Sequence, residues 1–178
     1  SLNEDKCRIK YIWQKKERNY NDPEEKVQAL AFLQLILDYY YPVSRIRLFV
    51  PVTMGSEVKE ADIVVYDDEL CLRPLILVEC KKQEVSEAEF QQAINQAYSY
   101  AFALPNEVKY VWVTSGIKND YYEVDKTQNT RNQIPDIPQY GVQEIANYKY
   151  VYGAEHLPKE DGKQRFFDLS VIDQADLT

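Results

Sequence analysis

The spacing of apolar residues divides most of the chain into segments with helical or extended periods. Residues 23–39 are apolar on most sides and predict a largely buried helix, which an Asp-Pro pair opens and Pro42 ends. Residues 86–104 predict a second helix, because Ser86 and Glu89 form a capping-box pattern before an apolar stripe. Apolar runs of strand length lie at residues 45–52, 61–68, 73–81 and 108–116.

The order of these elements predicts an α/β fold with a central mixed β-sheet flanked by helices. The short acidic turn between the second and third strands favours an antiparallel hairpin, so the first three strands form a meander. The helix between the third and fourth strands allows a parallel crossover. Beyond Gly116 the pattern weakens: residues 121–124 fit a strand, residues 129–141 fit a connection, and the remainder fits a strand or a helix equally.

Length and composition favour one domain with a substantial core, since the chain has 178 residues and 45% of them are hydrophobic. We expect a basic N-terminal arm over residues 1–20, the domain core over residues 21–125, and a C-terminal extension over residues 126–178 that packs on the core. No run of about eighteen apolar residues occurs, so no membrane span is expected. The three cysteines form no CxxC pair, which favours a reducing, cytoplasmic setting.

Charge and histidine content narrow the possible chemistry. The single histidine, His156, argues against His-rich zinc sites and against Ser-His-Asp or Cys-His catalysis. The net charge is −8, whereas a protein that binds nucleic acid without a partner is usually basic. Any DNA contact must therefore be local or shared with a partner. The one dense basic segment, residues 6–18, fits either a phosphate-facing strip or a solvated charged segment.

The candidate chemistry lies in LILVECKKQ, residues 75–83, where an apolar strand runs into charged residues. Residues i and i+2 of a strand share a face, so Glu79 and Lys81 project together while Cys80 packs on the other side. In the predicted hairpin, Asp62 at the start of one strand lies beside Glu79 at the end of the next. Two carboxylates and an amine predict a hard-cation site suited to Mg²⁺. The alternative is a chance set of exposed strand charges.

These motifs resemble those of the PD-(D/E)xK nuclease superfamily, and within it they are most similar to the N-terminal nuclease domain of type I restriction enzyme restriction subunits. EADIVV and VECKK match the motifs that carry the catalytic residues of that family, here Asp62, Glu79 and Lys81. PEEKVQ resembles the family's helix motif, whose glutamate helps to complete the metal site. We assign that role to Glu25, with Glu24 as the alternative.

A further match, QAYSY, fits the Q-x-x-x-Y pattern that follows the catalytic motif in RecB-like nucleases and in type I restriction subunits. Gln96 and Tyr100 are i and i+4 on one helix face, so they are candidates to hold a phosphate or nucleotide near the metal. Local hydrogen bonding on a half-buried helix is the alternative. Lys82 is either a DNA-backbone contact or a solvated charge. The resemblance covers roughly residues 15–125.

The resemblance implies a restriction-endonuclease-like core and a Mg²⁺-dependent endonuclease that cuts double-stranded DNA, with Mn²⁺ as a substitute for Mg²⁺. Recognition and protection of DNA would belong to separate specificity and methyltransferase subunits. The chain has no GxxxxGK[ST] phosphate loop, so it lacks the ATP-driven motor of full-length restriction subunits and is either a fragment or a stand-alone relative. The alternatives are a non-catalytic DNA-binding or assembly module, and a repair or mobile-element nuclease of the same fold.

Overall fold

A six-stranded mixed sheet lies at the centre of the fold, with one long helix on each of its faces. The computed structural model describes residues 7–12 and 14–141. Its elements, in chain order, are β1 (Arg8–Tyr11), β2 (Lys16–Asn19), α1 (Pro23–Leu37), a short 3-10 helix (Val43–Arg45), β3 (Ile46–Met54), β4 (Glu57–Tyr66), β5 (Pro74–Cys80), α2 (Glu87–Ala103), β6 (Tyr110–Thr114), β7 (Asn119–Asp125) and β8 (Thr130–Ile134).

The strands of the large sheet follow the order β3-β4-β5-β6-β7-β8. Strands β3, β4 and β5 form an antiparallel meander, and α2 then carries the chain across to β6, which pairs with β5 in parallel. Strands β7 and β8 extend the sheet with antiparallel pairs. The predicted α/β fold, with its meander and its parallel crossover, is confirmed. No helix in the described part of the chain is long and apolar enough to cross a membrane.

The two faces of the sheet pack against different helices. Ile76 and Val78 of β5 lie on the α1 face together with Leu35, whereas Leu77 lies on the α2 face together with Phe90. All seven residues of β5 are buried, because a central strand between two helices has no solvent side. The apolar run before the charged residues of this strand is therefore the middle of the core.

Both helices begin where the sequence predicts. Asp22 caps α1 and accepts a hydrogen bond from the backbone N–H of Glu24 at 3.0 Å, with Pro23 in the first turn. Ser86 and Glu89 form the predicted capping box at the start of α2. These caps satisfy backbone donors at the two helix N-termini, and they fix the points at which the helices meet the end of β5.

The C-terminal half of the sheet differs in part from the sequence-based expectation. Residues 121–124 lie within β7, as predicted, but the connection predicted over residues 129–141 is wrong in its first part, because Thr130–Ile134 forms β8. This strand lies at the edge of the sheet and is exposed over most of its length. A strand with no buried face has no apolar alternation to mark it in the sequence.

The basic N-terminal segment contains the hairpin of β1 and β2. Tyr11 at the end of β1 is buried, and its ring contacts Phe32 of α1 and Phe49 of β3 edge-on. The hairpin thus belongs to the core on the α1 face. The division of the chain into arm, core and extension stays a prediction. Residues 1–6, Trp13 and the part of the extension after residue 141 lie outside the described residues.

Candidate active site

Asp62 and Glu79 lie close together at the end of β5. Ile63 pairs with Val78 in antiparallel register, which brings Asp62, the residue before Ile63, to this end of the strand. The Asp62 carboxylate accepts from the backbone N–H of Cys80, and its charge raises the pKa of Glu79, which lies on the α2 face and contacts Gln96. Cys80 projects to the other face, where it is buried in the α1 cluster. The hairpin therefore brings together the two carboxylates that the sequence predicts to meet.

Two hydrogen bonds fix Asp62. Its Oδ2 atom accepts from the backbone N–H of Cys80 at 2.7 Å, which ties the carboxylate to the strand of its partner acid. Its backbone carbonyl accepts from the side-chain amide of Gln28 on α1 at 3.0 Å. Sequence reasoning missed the role of Gln28, since a single glutamine on an apolar helix gives no sign of a hydrogen bond to a strand 34 residues away.

Glu79 is almost fully buried, with 2% of its surface exposed. Its Oε1 atom accepts from Lys81 Nζ at 3.0 Å and from the amide of Gln96 at 2.9 Å, and that amide also donates to the hydroxyl of Tyr100 at 3.0 Å. Its Oε2 atom is buried and has no hydrogen-bond partner among the described residues. A buried carboxylate oxygen without a partner is unfavourable, so Oε2 is the atom that a bound cation would satisfy.

Burial governs the ionisation of this group of side chains. It raises the pKa of Asp62, although the N–H of Cys80 and the Lys81 ammonium oppose the rise. Burial also raises the pKa of Glu79, and the Asp62 carboxylate adds to that rise. Partial burial alone would lower the pKa of Lys81, but the carboxylates of Glu79, Glu24 and Asp62 together outweigh it, so the pKa of Lys81 lies above its ordinary value. The Lys81 ammonium thus faces the carboxylates of Glu79, Glu24 and Asp62, so negative groups outnumber positive ones among these side chains.

The first turn of α1 directs one of its two glutamates to this site. Glu24 Oε1 lies 3.3 Å from Lys81 Nζ. Glu25 turns towards the β1–β2 hairpin instead, where it is buried and accepts a hydrogen bond from the hydroxyl of Tyr11. Adjacent helix residues point roughly 100° apart, which explains the different partners. The metal role predicted for Glu25 stays a prediction, and its alternative, Glu24, has the position beside Lys81.

A depression of about 390 Å³ opens beside Lys81, between the N-termini of α1 and α2. Lys82 is exposed and lies at its rim, and Gln96 and Glu24 also line it. A volume of this size suits a nucleotide-sized ligand. A groove of similar volume between the β1–β2 hairpin and α1 is mainly apolar and lies away from these charges. A phosphate group would therefore reach Lys81 through the first of these two depressions.

The donor atoms fit a hard cation that keeps part of its own water. The part of the chain that the structure describes contains no group of three His, Cys, Asp or Glu side chains arranged to hold a metal ion. Mg²⁺ is commonly bound by only one or two carboxylates and keeps several waters. Asp62 and Glu79 supply two such carboxylates, and Oε2 of Glu79 has no competing donor. The residues present therefore fit Mg²⁺, or Mn²⁺ with its similar preference for oxygen ligands.

Comparison with known proteins identifies the family. Residues 23–138 match the family model of the type I restriction enzyme R protein N terminus. Among solved structures, the chain is similar to the fragment structure of a putative HsdR subunit of a type I restriction enzyme from Vibrio vulnificus YJ016, with 20% identity and a TM-score of 0.45. That alignment covers 77% of this chain and 27% of the other, so the chain spans about a quarter of that relative's length. No curated protein matches the chain. Because the family model matches well over half of its residues, the chain belongs to the family of type I restriction enzyme R protein N-terminal domains.

Proposed function

We propose that this domain is the Mg²⁺-dependent nuclease of a type I restriction subunit and hydrolyses phosphodiester bonds of double-stranded DNA. The observation that carries the proposal is the buried, unpartnered Oε2 atom of Glu79, with Asp62 beside it and the Lys81 ammonium 3.0 Å from its other oxygen. A buried glutamate and a partly buried aspartate, with fewer positive than negative groups around them and an amine beside them, suit metal-assisted hydrolysis of a phosphate ester. Membership of the restriction subunit family supports the same reaction.

Each side chain of the site has a separate task in this reaction. Asp62 and Glu79 would hold the metal ion, which would polarise the phosphate and lower the pKa of an attacking water. Gln96 and Lys81 occupy Oε1 of Glu79, so Oε2 is left for the metal. Lys81 remains protonated, orients the water and stabilises the negative charge that develops on the phosphate oxygens. The burial of Glu79 excludes bulk water and strengthens these electrostatic interactions.

Contacts to DNA divide between the rim and the interior of the site. Lys82 is exposed at the rim of the depression, which suits an ion pair with a backbone phosphate. Tyr100 is buried, and its hydroxyl accepts from Gln96, so we assign this pair to positioning Glu79. A direct contact of Gln96 or Tyr100 with a nucleotide stays a prediction.

The remaining functions of a restriction system belong to other chains or other domains. With a net charge of −8, this chain is poorly suited to bind DNA alone, so we propose that specificity and methyltransferase subunits bring it to its substrate in the cytoplasm. ATP would act on a motor domain and not on this one, since the sequence contains no phosphate-binding loop.

Binding of Mn²⁺ tests the proposal without requiring the motor. Titration of Mn²⁺ into the folded chain by isothermal calorimetry is expected to reveal one site, which Asp62→Asn removes because it deletes one of the two carboxylate ligands. Asp67→Asn is the matched control: it also removes one aspartate charge, but from the exposed turn after β4. Equal binding by the parent and both variants would contradict the metal centre, and it would favour a non-catalytic module with a nuclease fold.

Paired variants decide which glutamate of α1 serves the site. Glu24→Gln is expected to weaken Mn²⁺ binding by about tenfold, because it removes a carboxylate beside Lys81. Glu25→Gln is expected to leave Mn²⁺ binding near the parent value and to change the melting temperature instead, because Glu25 is buried against Tyr11. The opposite pattern in calorimetry and thermal melting would support the role first predicted for Glu25.

A further inference from the structure

The hairpin of β3 and β4 changes face halfway along its length. Leu48 pairs with Ile63, and both side chains belong to the cluster on the α1 face. Two residues further along, Val50 pairs with Ala61, and both pack in the cluster on the α2 face. Residues two apart in a regular strand share a face. The backbone must therefore depart from regular strand geometry between these two pairs.

Phe49 carries this departure. Its φ angle is +57°, in the left-handed region that bulky residues rarely adopt. The register is the same on both sides, so the interruption removes one pair from the ladder, that of Phe49 with Asp62. The Asp62 carbonyl takes a hydrogen bond from Gln28 of α1. The irregular backbone thus lies directly opposite the aspartate of the candidate metal centre.

Side chains of the β1–β2 hairpin hold the Phe49 ring in place. The ring is buried, with the edge of Tyr11 at 5.5 Å between ring centroids. The Arg18 guanidinium lies 4.2 Å from the centroid of Phe49, and the Lys16 ammonium lies 4.6 Å from it. Glu60 of β4, beside the interruption, accepts from Arg18 at 2.7 Å and from Lys16 at 3.3 Å. These contacts link β2, β3 and β4 around the strained residue.

We propose that Phe49 is a positioning residue for Asp62. The left-handed backbone at Phe49 interrupts the pairing of β3 with β4. The part of the hairpin beyond it, beginning with Val50 and Ala61, then packs on the α2 face. Asp62 is thereby held with Oδ2 on the Cys80 N–H, beside Glu79. The contacts of the ring with Tyr11 and Arg18 keep that backbone in place. Strained backbone at a functional site persists where its surroundings determine it. The consequence for metal affinity rests on the proposed function, whereas the position of Asp62 does not.

Three variants separate backbone conformation from general loss of packing. Phe49→Val disfavours a positive φ because valine is β-branched, and Phe49→Asn tolerates it. Leu48→Ala removes apolar contacts from the same strand and cluster without altering the strained position. The metal-free readout is the Cys80 amide, followed by its proton chemical shift and its hydrogen exchange in NMR spectra. The second readout is Mn²⁺ affinity by calorimetry.

We expect Phe49→Val to speed exchange of the Cys80 amide by about tenfold and to weaken Mn²⁺ binding by about tenfold. Phe49→Asn also loses the ring contacts, but asparagine tolerates the positive φ, so both readouts should lie between those of the parent and those of Phe49→Val. Leu48→Ala should lower the melting temperature and leave the Cys80 amide exchange and the Mn²⁺ affinity unchanged. If Phe49→Val does not fold, Arg18→Gln replaces it, because this change at a partly exposed residue removes the guanidinium over the ring and should move the Cys80 amide in the same direction, by less.

A parent-like Cys80 amide in folded Phe49→Val, or in Arg18→Gln where that variant replaces it, would overturn the proposal. So would an equal change in Leu48→Ala, since Asp62 would then respond to general loosening of the core. The amide response decides the positioning role by itself. Absence of Mn²⁺ binding in the parent would instead refute the proposed nuclease centre, whatever the amide shows.

Discussion

Replacement of Lys81 by alanine is expected to lower the rate of DNA cleavage by about 10²- to 10³-fold while the metal stays bound. Lys81 Nζ lies 3.0 Å from Glu79 and 3.3 Å from Glu24, and it is a quarter exposed, so it can reach a phosphate in the depression. Its removal deletes the ammonium that contacts Glu79. It also leaves more negative charge around Asp62 and Glu79, which favours binding of a cation.

The measurement is the single-turnover cleavage of plasmid DNA by a complete restriction complex that carries the variant domain. Lys109→Ala is the matched control, because Lys109 is an exposed lysine just before β6, at the end of the parallel strand pair that is remote from Glu79. Lys82→Ala is expected to raise the concentration of complex that gives half of the maximal single-turnover rate and to preserve that maximal rate, as loss of a phosphate contact in the bound state would. Cleavage by Lys81→Ala at the rate of Lys109→Ala would contradict a catalytic role for Lys81.

The meeting of Asp62 with Glu79 could be predicted from sequence because it depends on local topology. A short turn between two apolar runs specifies an antiparallel hairpin, and in a hairpin the start of one strand lies beside the end of the next. The strict two-residue period then puts Glu79 and Lys81 on one face and Cys80 on the other. Nothing beyond the chain order and strand geometry is needed for these three positions.

The choice between Glu24 and Glu25 could not be made in the same way. Helix α1 is apolar on most sides, so its pattern does not define which direction its first turn faces. The direction is set by tertiary contacts: Tyr11, from a hairpin 14 residues earlier, takes the Glu25 carboxylate, and Lys81 takes Glu24. The choice between Glu24 and Glu25 therefore required the tertiary structure.

The roles of Phe49 and Gln28 could not be predicted from the sequence for a related reason. Phe49 looks like an ordinary strand residue in RIRLFVPV, yet its φ is positive, and its ring contacts Tyr11 of β1 and Arg18 of β2. Gln28 forms its hydrogen bond to β4 across the core. Both features involve partners distant in sequence, and single-residue patterns carry no information about such pairs. Sequence patterns thus predicted which residues come together at the end of β5, but not the contacts that orient them.

Replacement of Glu79 by glutamine is expected to stabilise the metal-free chain at neutral and higher pH by about 1–2 kcal/mol. Burial beside Asp62 raises the pKa of Glu79 above its ordinary value of 4.5, so the folded state binds its proton more tightly than the unfolded state does. The stability gained from this tighter proton binding is fully present at pH values below the ordinary pKa of Glu79. It is lost as the pH rises through the raised pKa of the folded state. A neutral amide carries no such dependence.

Thermal melting of the isolated chain across that pH range tests this expectation, with and without Mg²⁺. The parent should lose stability relative to Glu79→Gln as the pH rises, and the two should converge in acid. Mg²⁺ should raise the melting temperature of the parent, increasingly at higher pH because metal binding displaces the proton, and should leave Glu79→Gln unchanged. Glu69→Gln, in the exposed turn between β4 and β5, is the control for loss of one negative charge. If Glu79→Gln melts below the parent at neutral pH without metal, the buried carboxylate is stabilising as it stands, and the site does not lack a cation.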